Sequence, residues 1–339
     1  MTGAVSINPR TGLHALRYAG RTLLSALPLP SLPRSPTTAA APATLHIAAP
    51  IRVTELQPRS DWLHEWRDGS GGICLQLAAL QLPECYLLRT PGLCDFRIDC
   101  ARGTVEIEHT PATDSDTLEH LLIDQALPRL LAQQGSLVAH AGCIRIHRRG
   151  ALFMGQTGWG KSTLTALLQR HGHVPISDDC AVLDIHDQQV LATATYPSLR
   201  LFDDSIRAGF DRVPDATPVA SYTGKRRIRL DAPPTDQSTP VSAIYLLNNP
   251  ARPTHAPVIV RLPAAVACMA LIEHGFRLDI ASAERSAQQL RHAAAITRLV
   301  PTYALHYPRD FASADAVVER VLKHFGGLDV ETTAIDCGP

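Results

Sequence analysis

Apolar and polar positions along this chain change their period more than once, and each change predicts a different element. From about Thr44 to Thr110, short apolar stretches such as Ile73–Leu77, Cys85–Leu88 and Phe96–Cys100 are separated by turn residues. Arg102-Gly103 marks a turn, and Thr104–His109 alternates as a half-buried strand does. The pattern predicts a small β-rich subdomain over residues 46–115. Near Asp116 the period lengthens: Leu118, Leu121, Leu122, Ala126, Leu130 and Leu131 recur at near-helical spacing. Asp116 followed by Glu119 resembles a capping box, Gly135 offers a stop, and Pro128 marks a kink or a new turn.

A third regime begins at Leu137–Ile146, which reads as a strand and is followed by a turn at Arg148–Gly150. Ala151–Met154 is a short apolar run of the kind expected of a buried strand, and it leads directly into a glycine-rich loop. Beyond the loop, Leu164, Leu167, Leu168 and His171 repeat at i, i+3, i+4 and i+7, with Gly172 as the stop. Further strands are expected at Val241–Leu247, Val258–Leu262 and Thr302–Tyr307, and helices at Ala264–His274, Ala283–Arg298 and Asp315–Phe325. No internal repeat is visible. The expectation is an α/β chain, with residues 116–339 forming the catalytic part.

Composition narrows the function classes. The 339 residues suffice for two domains or one elaborated domain, and 45% of them are hydrophobic. Lys+Arg and Asp+Glu are both 32, which argues against nucleic-acid binding through bulk charge. No run approaches 18 apolar residues, so no transmembrane helix is expected. The eight cysteines form no C-x-x-C pair and no secretory signal is apparent, so reduced thiols in a cytoplasmic protein are expected, without a zinc site. The first 54 residues hold no Asp or Glu but carry Arg10, Arg17, Arg21, Arg34 and Arg52, and Pro and Ala accumulate from Pro28 to Pro50. Such composition mimics a transit peptide, or a basic helix near Leu13–Leu27 with a Pro/Ala linker; a flexible extension over residues 1–45 is expected.

The candidate chemistry centres on MGQTGWGKSTLT, residues 154–165, where Gly155, Gly160, Lys161 and Ser162 fit the phosphate-loop pattern G-x-x-x-x-G-K-[ST]. In such a loop the glycines let backbone N–H groups converge on phosphate oxygens, and the helix N-terminus adds its partial positive charge. Gly155, Gln156, Thr157, Gly158, Trp159, Gly160, Lys161, Ser162 and Thr163 form the expected nucleotide site. Lys161 would reach the β- and γ-phosphates of ATP, and Ser162 would ligate Mg²⁺. Downstream, the strand pattern Val174–Ile176 ends in Ser177-Asp178-Asp179. Carboxylates at the end of such a strand lie near the loop in open α/β sheets. One would hold the metal and the other accept a proton from an attacking hydroxyl; adjacent strand residues point to opposite faces, so their roles should differ. His140, on the strand before the loop, is by spacing alone either a core histidine or a catalytic one.

Together H-A-G-C at 140–143, the loop, and R-H-G-H-V-P-I-S-D-D at 170–179 resemble the HPr kinase/phosphorylase family, in particular its divergent HPr-kinase-like branch. Tyr196–Phe202, Ala243–Leu247 and the Tyr307–Asp310 region match more weakly. The resemblance implies a fold similar to the nucleotide-binding part of phosphoenolpyruvate carboxykinase. It implies a catalytic His140, Asp178 as general base, Asp179 and Ser162 at the Mg²⁺, and transfer of the γ-phosphoryl group of ATP to a Ser hydroxyl. Family members are often oligomers. Thr163 stands where HPr kinases have Glu, and the family's Arg-, Gly- and Asn-rich C-terminal loop has no visible counterpart, which points away from HPr as substrate. HPr-kinase-like proteins with such tails resemble tailoring kinases that phosphorylate the C-terminal Ser of a lasso peptide precursor. A small-molecule or carboxykinase-like kinase, and a nucleotide-dependent regulatory protein, are the alternatives.

Three lesser features complete the reading. Strand alternation would put Lys225, Arg227 and Arg229 on one face, suited to triphosphate or an acidic peptide terminus, or simply solvated. Asp203-Asp204 reads as a turn or helix cap. Trp159 either covers the nucleotide or packs against the sheet edge; packing is the expectation.

Overall fold

The computed structural model describes residues 12–35, 44–230, 238–252 and 254–335, with side chains to Leu328. Among the described residues three sheets form. The first contains β1 (His14–Tyr18), β2 (Arg21–Ser25), β3 (Leu45–Ile47), β4 (Ile51–Arg52), β5 (His64–Arg67), β6 (Ile73–Ala79), β7 (Cys85–Thr90), β8 (Cys94–Asp99) and β9 (Thr104–His109). Its order is β1-β2-β3-β9-β8-β7-β6-β5, with β4 also on β9.

The expected flexible extension therefore does not describe residues 14–25. They form an antiparallel hairpin paired from His14↔Ser25 to Tyr18↔Arg21. Ala19 and Gly20, at φ 50° and 73°, make the tight turn that matches strand twist. The physical reason is period-two burial: Leu16, Tyr18 and Leu23 face the core, while the arginines that suggested a basic helix point outward or sideways. Residues 1–11 and 36–43 of the expected extension lie outside the described residues, as does Cys337.

The helical run is α1 (Ser115–Leu121), a π-helical turn (Leu122–Ala126) and α2 (Leu127–Gln133). Pro128 sits at the start of α2, where it needs no N–H, and the wider turn before it absorbs its ring. The cap is Asp114, whose carboxylate accepts from Thr117 N at 2.7 Å, not Asp116. Glu119, the expected reciprocal partner, is instead buried against Arg227. Leu118, Leu122, Leu130 and Leu131 pack into the first sheet's core with Phe96, Ile98 and Ile107. This helix, placed with the catalytic part from sequence, thus completes the core of the first sheet.

The second sheet holds β10 (Leu137–Ala139), β11 (Ala141–Ile146), β12 (Arg149–Met154), β13 (Val174–Ser177), β14 (Ala181–His186) and β15 (Gln189–Ala194). A third, small sheet is built from β16 (Ser198–Leu201), β17 (Ala216–Pro218) and β18 (Arg226–Arg229), in order β16-β18-β17. The second sheet then resumes with β19 (Ser238–Leu247), β20 (Val258–Arg261) and β21 (Thr302–His306). It runs β10-β14-β15-β19-β12-β11-β13, with β21 on β19 and β20. β12 and β21 lie parallel to β19, and the other pairings are antiparallel. Around it lie α3 (Lys161–Arg170), α4 (Asp203–Gly209), α5 (Ala264–Glu273), α6 (Ala283–Leu299) and α7 (Ala314–Ile335). The expected strand–loop–helix order is present as β12, the glycine loop and α3. No described helix is long and apolar enough to cross a membrane. The described cysteines are free thiols, all buried except Cys74.

Candidate functional site

The loop between β12 and α3 takes its shape from its glycines. Gly160 has φ 88°, and a Cβ there would lie 2.7 Å from Tyr307 Oη and 2.8 Å from Arg309 Nη1. The backbone must come that close, so no larger residue fits without displacement. Gly160 caps α3 without a side-chain hydrogen bond, leaving the first N–H groups of the helix for an outside acceptor. Lys161 is folded back, its Nζ 2.7 Å from Gly155 O and 3.2 Å from Gln156 O. Burial lowers its pKa, against the pull of Asp179 and Asp178. Gln156, Thr157 and Gly158 are exposed. The Thr163 hydroxyl lies 3.0 Å from Ser205 Oγ on α4.

Behind the loop, Arg145 of the apparent strand 137–146 continues a regular ladder, but His140 breaks it. The His140 N–H turns to His274 O at 2.7 Å, and the ring stacks on Phe276 at 5.9 Å and 7°. That break presents His140 to the cleft, with Nε2 3.4 Å from Asp179 Oδ1. Burial, then Lys161, lowers the histidine's pKa, so the ring is held toward neutrality.

Asp178 and Asp179 follow β13 in a bend and meet different surroundings. Asp179 lines the cleft; its Oδ2 accepts from Arg200 Nη2 at 2.5 Å. Burial acts to raise its pKa, but Arg200, His140 and Lys161 together outweigh that and hold it well below the usual carboxylate range. Asp178 is 2% exposed. Its Oδ2 accepts from Arg200 N at 2.7 Å, while Oδ1 makes no hydrogen bond of ordinary geometry, although the Ser162 hydroxyl is close enough to depress the acid. Burial first, and then the Asp179 charge, push Asp178 up to about 6.

Arg200, on β16, is the hub that the sequence reading missed. Its buried guanidinium also pairs with Asp124 and lies 3.3 Å from His120 Nδ1, and Asp124 accepts from the Tyr196 hydroxyl. The available signal was a charged residue in the apolar run Ser198–Phe202. A second missed group is Tyr307 with Arg309. Both donate to Trp159 O, and Arg309 also donates to Asn248 O at the end of β19, so the loop is tied to the sheet. The Trp159 ring does not line the cleft: it covers Gly155, 3.0 Å from where a Cβ would stand, and joins the core around Phe153 and Leu247.

These groups surround one cleft of about 300 Å³. Its polar end is His140, Lys161, Ser162, Asp179 and Arg200, and its apolar end includes Leu164, Leu167, Phe202, Phe311 and Val317. Lys225 reaches the cleft beside Phe202. The expected common basic face does not form, because Arg227 is buried with Glu119 at 2.8 Å and Arg229 is exposed. Asp203 and Asp204 lie in the first turn of α4, whose N-cap is Phe202 without a side-chain hydrogen bond, and Asp204 accepts from Ser205 N.

No group of three or more His, Cys, Asp or Glu side chains suited to a metal occurs among the described residues. Magnesium, however, uses one or two carboxylates with water and phosphate. Ser162 and Asp179 both line the cleft, so a hydroxyl and one carboxylate are available for that need.

No family model matches the chain, and no curated protein matches it. Among solved structures it is similar to the HPr(Ser) kinase/phosphatase from Coxiella burnetii at 15% identity, covering 58% of this chain and 96% of that one, with a TM-score of 0.32. A likeness that shallow carries no weight for function, which rests on the cleft itself.

Proposed function

We propose that the chain is an ATP-dependent kinase that transfers the γ-phosphoryl group to a Ser hydroxyl of a peptide or protein. The acceptor we favour is the C-terminal Ser of a lasso peptide precursor, on the strength of the sequence resemblance. The observation that carries the reading is the convergence on one cleft of an uncapped helix N-terminus, the buried Lys161 and Asp179, with Asp178, an acid raised to about 6, buried next to it against Arg200 N. Each part has its task. Backbone N–H groups of residues 155–163 and Lys161, swung from the loop carbonyls, bind the phosphates. Ser162 and one carboxylate would hold Mg²⁺, which neutralises phosphate charge when bound.

Asp178 takes the proton of the attacking hydroxyl. The new bond joins the acceptor oxygen to the γ-phosphorus, and the bond that breaks leaves ADP. A base works best with a pKa near the working pH, which burial and the neighbouring charge give Asp178. Asp179, held ionised by Arg200, suits a metal or electrostatic role, and His140 orients it.

The test is incubation with ATP and Mg²⁺ and candidate Ser-ended peptides, read by mass. A phosphate-sized gain on the Ser is expected from the wild type and none from Asp178→Asn, which should still bind ATP. Near wild-type transfer by Asp178→Asn would remove the base assignment. ATP turnover with phosphate passing only to water would favour a regulatory protein, and labelling of a small alcohol alone would favour a small-molecule kinase.

A further inference from the structure

Strand alternation groups Lys225, Arg227 and Arg229, but the fold separates them. Arg227 is buried against Glu119 and Arg229 is exposed, while Lys225 lines the cleft. Lys225 ends the loop that joins β17 to β18. The cleft therefore receives one lysine, Lys161, from the glycine loop and a second from the third sheet. The loop that carries Lys225 is pinned. Val219 N donates to Lys225 O at 3.2 Å and Thr223 N to Ala220 O at 3.3 Å, and Val219 and Ala220 are buried. Ser221 ties the loop to α1: its N–H donates to the hydroxyl of fully buried Thr117 at 2.8 Å, and that hydroxyl lies 3.1 Å from Ser221 Oγ.

The Lys225 ammonium stands 5.7 Å from the centroid of the Phe202 ring, itself part of the cleft wall. A lysine set over an exposed ring is common at protein surfaces. That leaves the company of the charge unexplained. Lys225 has no carboxylate in salt-bridge contact among the described residues. Of the acids that line the cleft, Asp179 is taken up by Arg200, and Asp204 and Asp310 are exposed and accept from Ser205 N and Ser313 N. The Lys225 charge reaches Lys161: burial is the main cause that lowers the Lys161 pKa, Asp179 and Asp178 oppose it, and Lys225 adds to the lowering. Two ammonium groups held at one cleft repel each other, and an anion bound by both replaces that repulsion with attraction.

We infer that Lys225 is a second phosphate-binding cation of the site, which pairs with the γ-phosphate of ATP from the third sheet while Lys161 holds it from the glycine loop. This rests on reading the cleft as a phosphoryl-transfer site. The γ-phosphate is the partner because a glycine loop wraps its N–H groups around the α- and β-phosphates, leaving the terminal one to meet a cation from outside the loop. During transfer the acceptor oxygen bonds to the γ-phosphorus. The bond to the β–γ bridging oxygen breaks, and its electron pair stays on ADP. Lys225 remains protonated throughout and donates hydrogen bonds to γ-phosphoryl oxygens, where the transition state spreads its charge.

The test is calorimetric titration of the whole chain with ATP and with ADP, each with Mg²⁺. Lys225→Met keeps an unbranched stem over Phe202 and removes the charge. It should weaken ATP about tenfold or more and ADP less than about threefold. Lys225→Arg should recover most of the ATP affinity. Lys225→Gln repeats the loss of charge and covers the case in which the Met variant does not fold. Unchanged ATP affinity in the neutral variants would overturn the assignment, and so would equal weakening of ATP and ADP. Unchanged ATP affinity with a raised KM for a peptide acceptor would overturn it too and give Lys225 to the acceptor. These outcomes are read against a wild type that binds ATP; a wild type that binds neither nucleotide would overturn the kinase reading, and the role of Lys225 with it.

Discussion

Arg89 in the first sheet and Arg200 beside the cleft are both buried guanidiniums, yet their company differs. Arg89 makes a closed pair with Asp95, Nε to Oδ1 at 2.7 Å and Nη2 to Oδ2 at 2.6 Å. Neither charge has a second ion-pair partner among the described residues. Arg200 meets three carboxylates, Asp124, Asp178 and Asp179, so beside the cleft one guanidinium stands against three acids. The surplus is carried by Asp178, whose proton is therefore easily gained and lost near pH 6. Balanced pairing marks the part of the molecule that only has to stay folded; imbalance marks the part that has chemistry to do.

Removing each arginine is the largest way to break this comparison. Arg89→Leu should cost about 3–5 kcal/mol, because Asp95 is left buried and unpaired, while activity per folded molecule stays at the wild-type level. Arg200→Leu should cost more in thermal melts, leave acid groups facing one another, and abolish transfer. Equal stability losses with activity intact in both would erase the distinction between the two regions.

Asp178→Asn tests the surplus itself. An acid raised in the folded state binds more protons there than when unfolded, so its contribution is fully present below the unfolded value near 4 and is lost as pH rises through about 6. Above pH 6 the ionised group strains the fold, and Asn should relieve it by about 2–3 kcal/mol. The variant should melt higher than wild type at pH 7.5, equally at pH 4, and have lost transfer by a factor of about 10³. In the wild type the transfer rate should climb as pH passes through about 6. A variant less stable at pH 7.5 would show that Asp178 is an ordinary paired acid like Asp95.

Gly160→Ala probes the loop with a smaller expected effect. The added methyl meets Tyr307 Oη and Arg309 Nη1 at a positive φ, so the clamp on Trp159 O must give way. Destabilisation of about 1–2 kcal/mol and roughly tenfold weaker ATP binding are expected. Unchanged ATP affinity in calorimetry would mean that the clamp does not set the loop.

What could be read from the chain follows the range of the interactions. The strand–loop–helix unit was legible because β12, the glycine pattern and α3 are contiguous, and period alone distinguishes them. His140 and the Asp pair were legible as candidates but not as neighbours, since the break at His140 depends on a carbonyl of His274 far along the chain. Arg200 was illegible because alternation assigns a residue to a face without saying how deep that face lies, and its partners Asp124, Asp178 and Asp179 come from separate segments. The hairpin at residues 14–25 had the right alternation in Leu16, Tyr18 and Leu23, but arginines and a proline-rich neighbourhood obscured it.

Trp159 gives the smallest and most discriminating effect. A ring in the loop that covered a nucleotide would contribute stacking, and its loss would weaken ATP severalfold. Here the ring covers Gly155 and lies with Leu247 in the core, while only its carbonyl faces the clamp of Tyr307 and Arg309. Trp159→Phe keeps the carbonyl and most of the apolar contact, so it should cost about 1 kcal/mol of stability and change ATP affinity by less than about twofold. A fivefold loss of affinity without a change in melting temperature would place the ring on the nucleotide side and make the loop, like Arg200, a region whose packing is subordinate to its ligand.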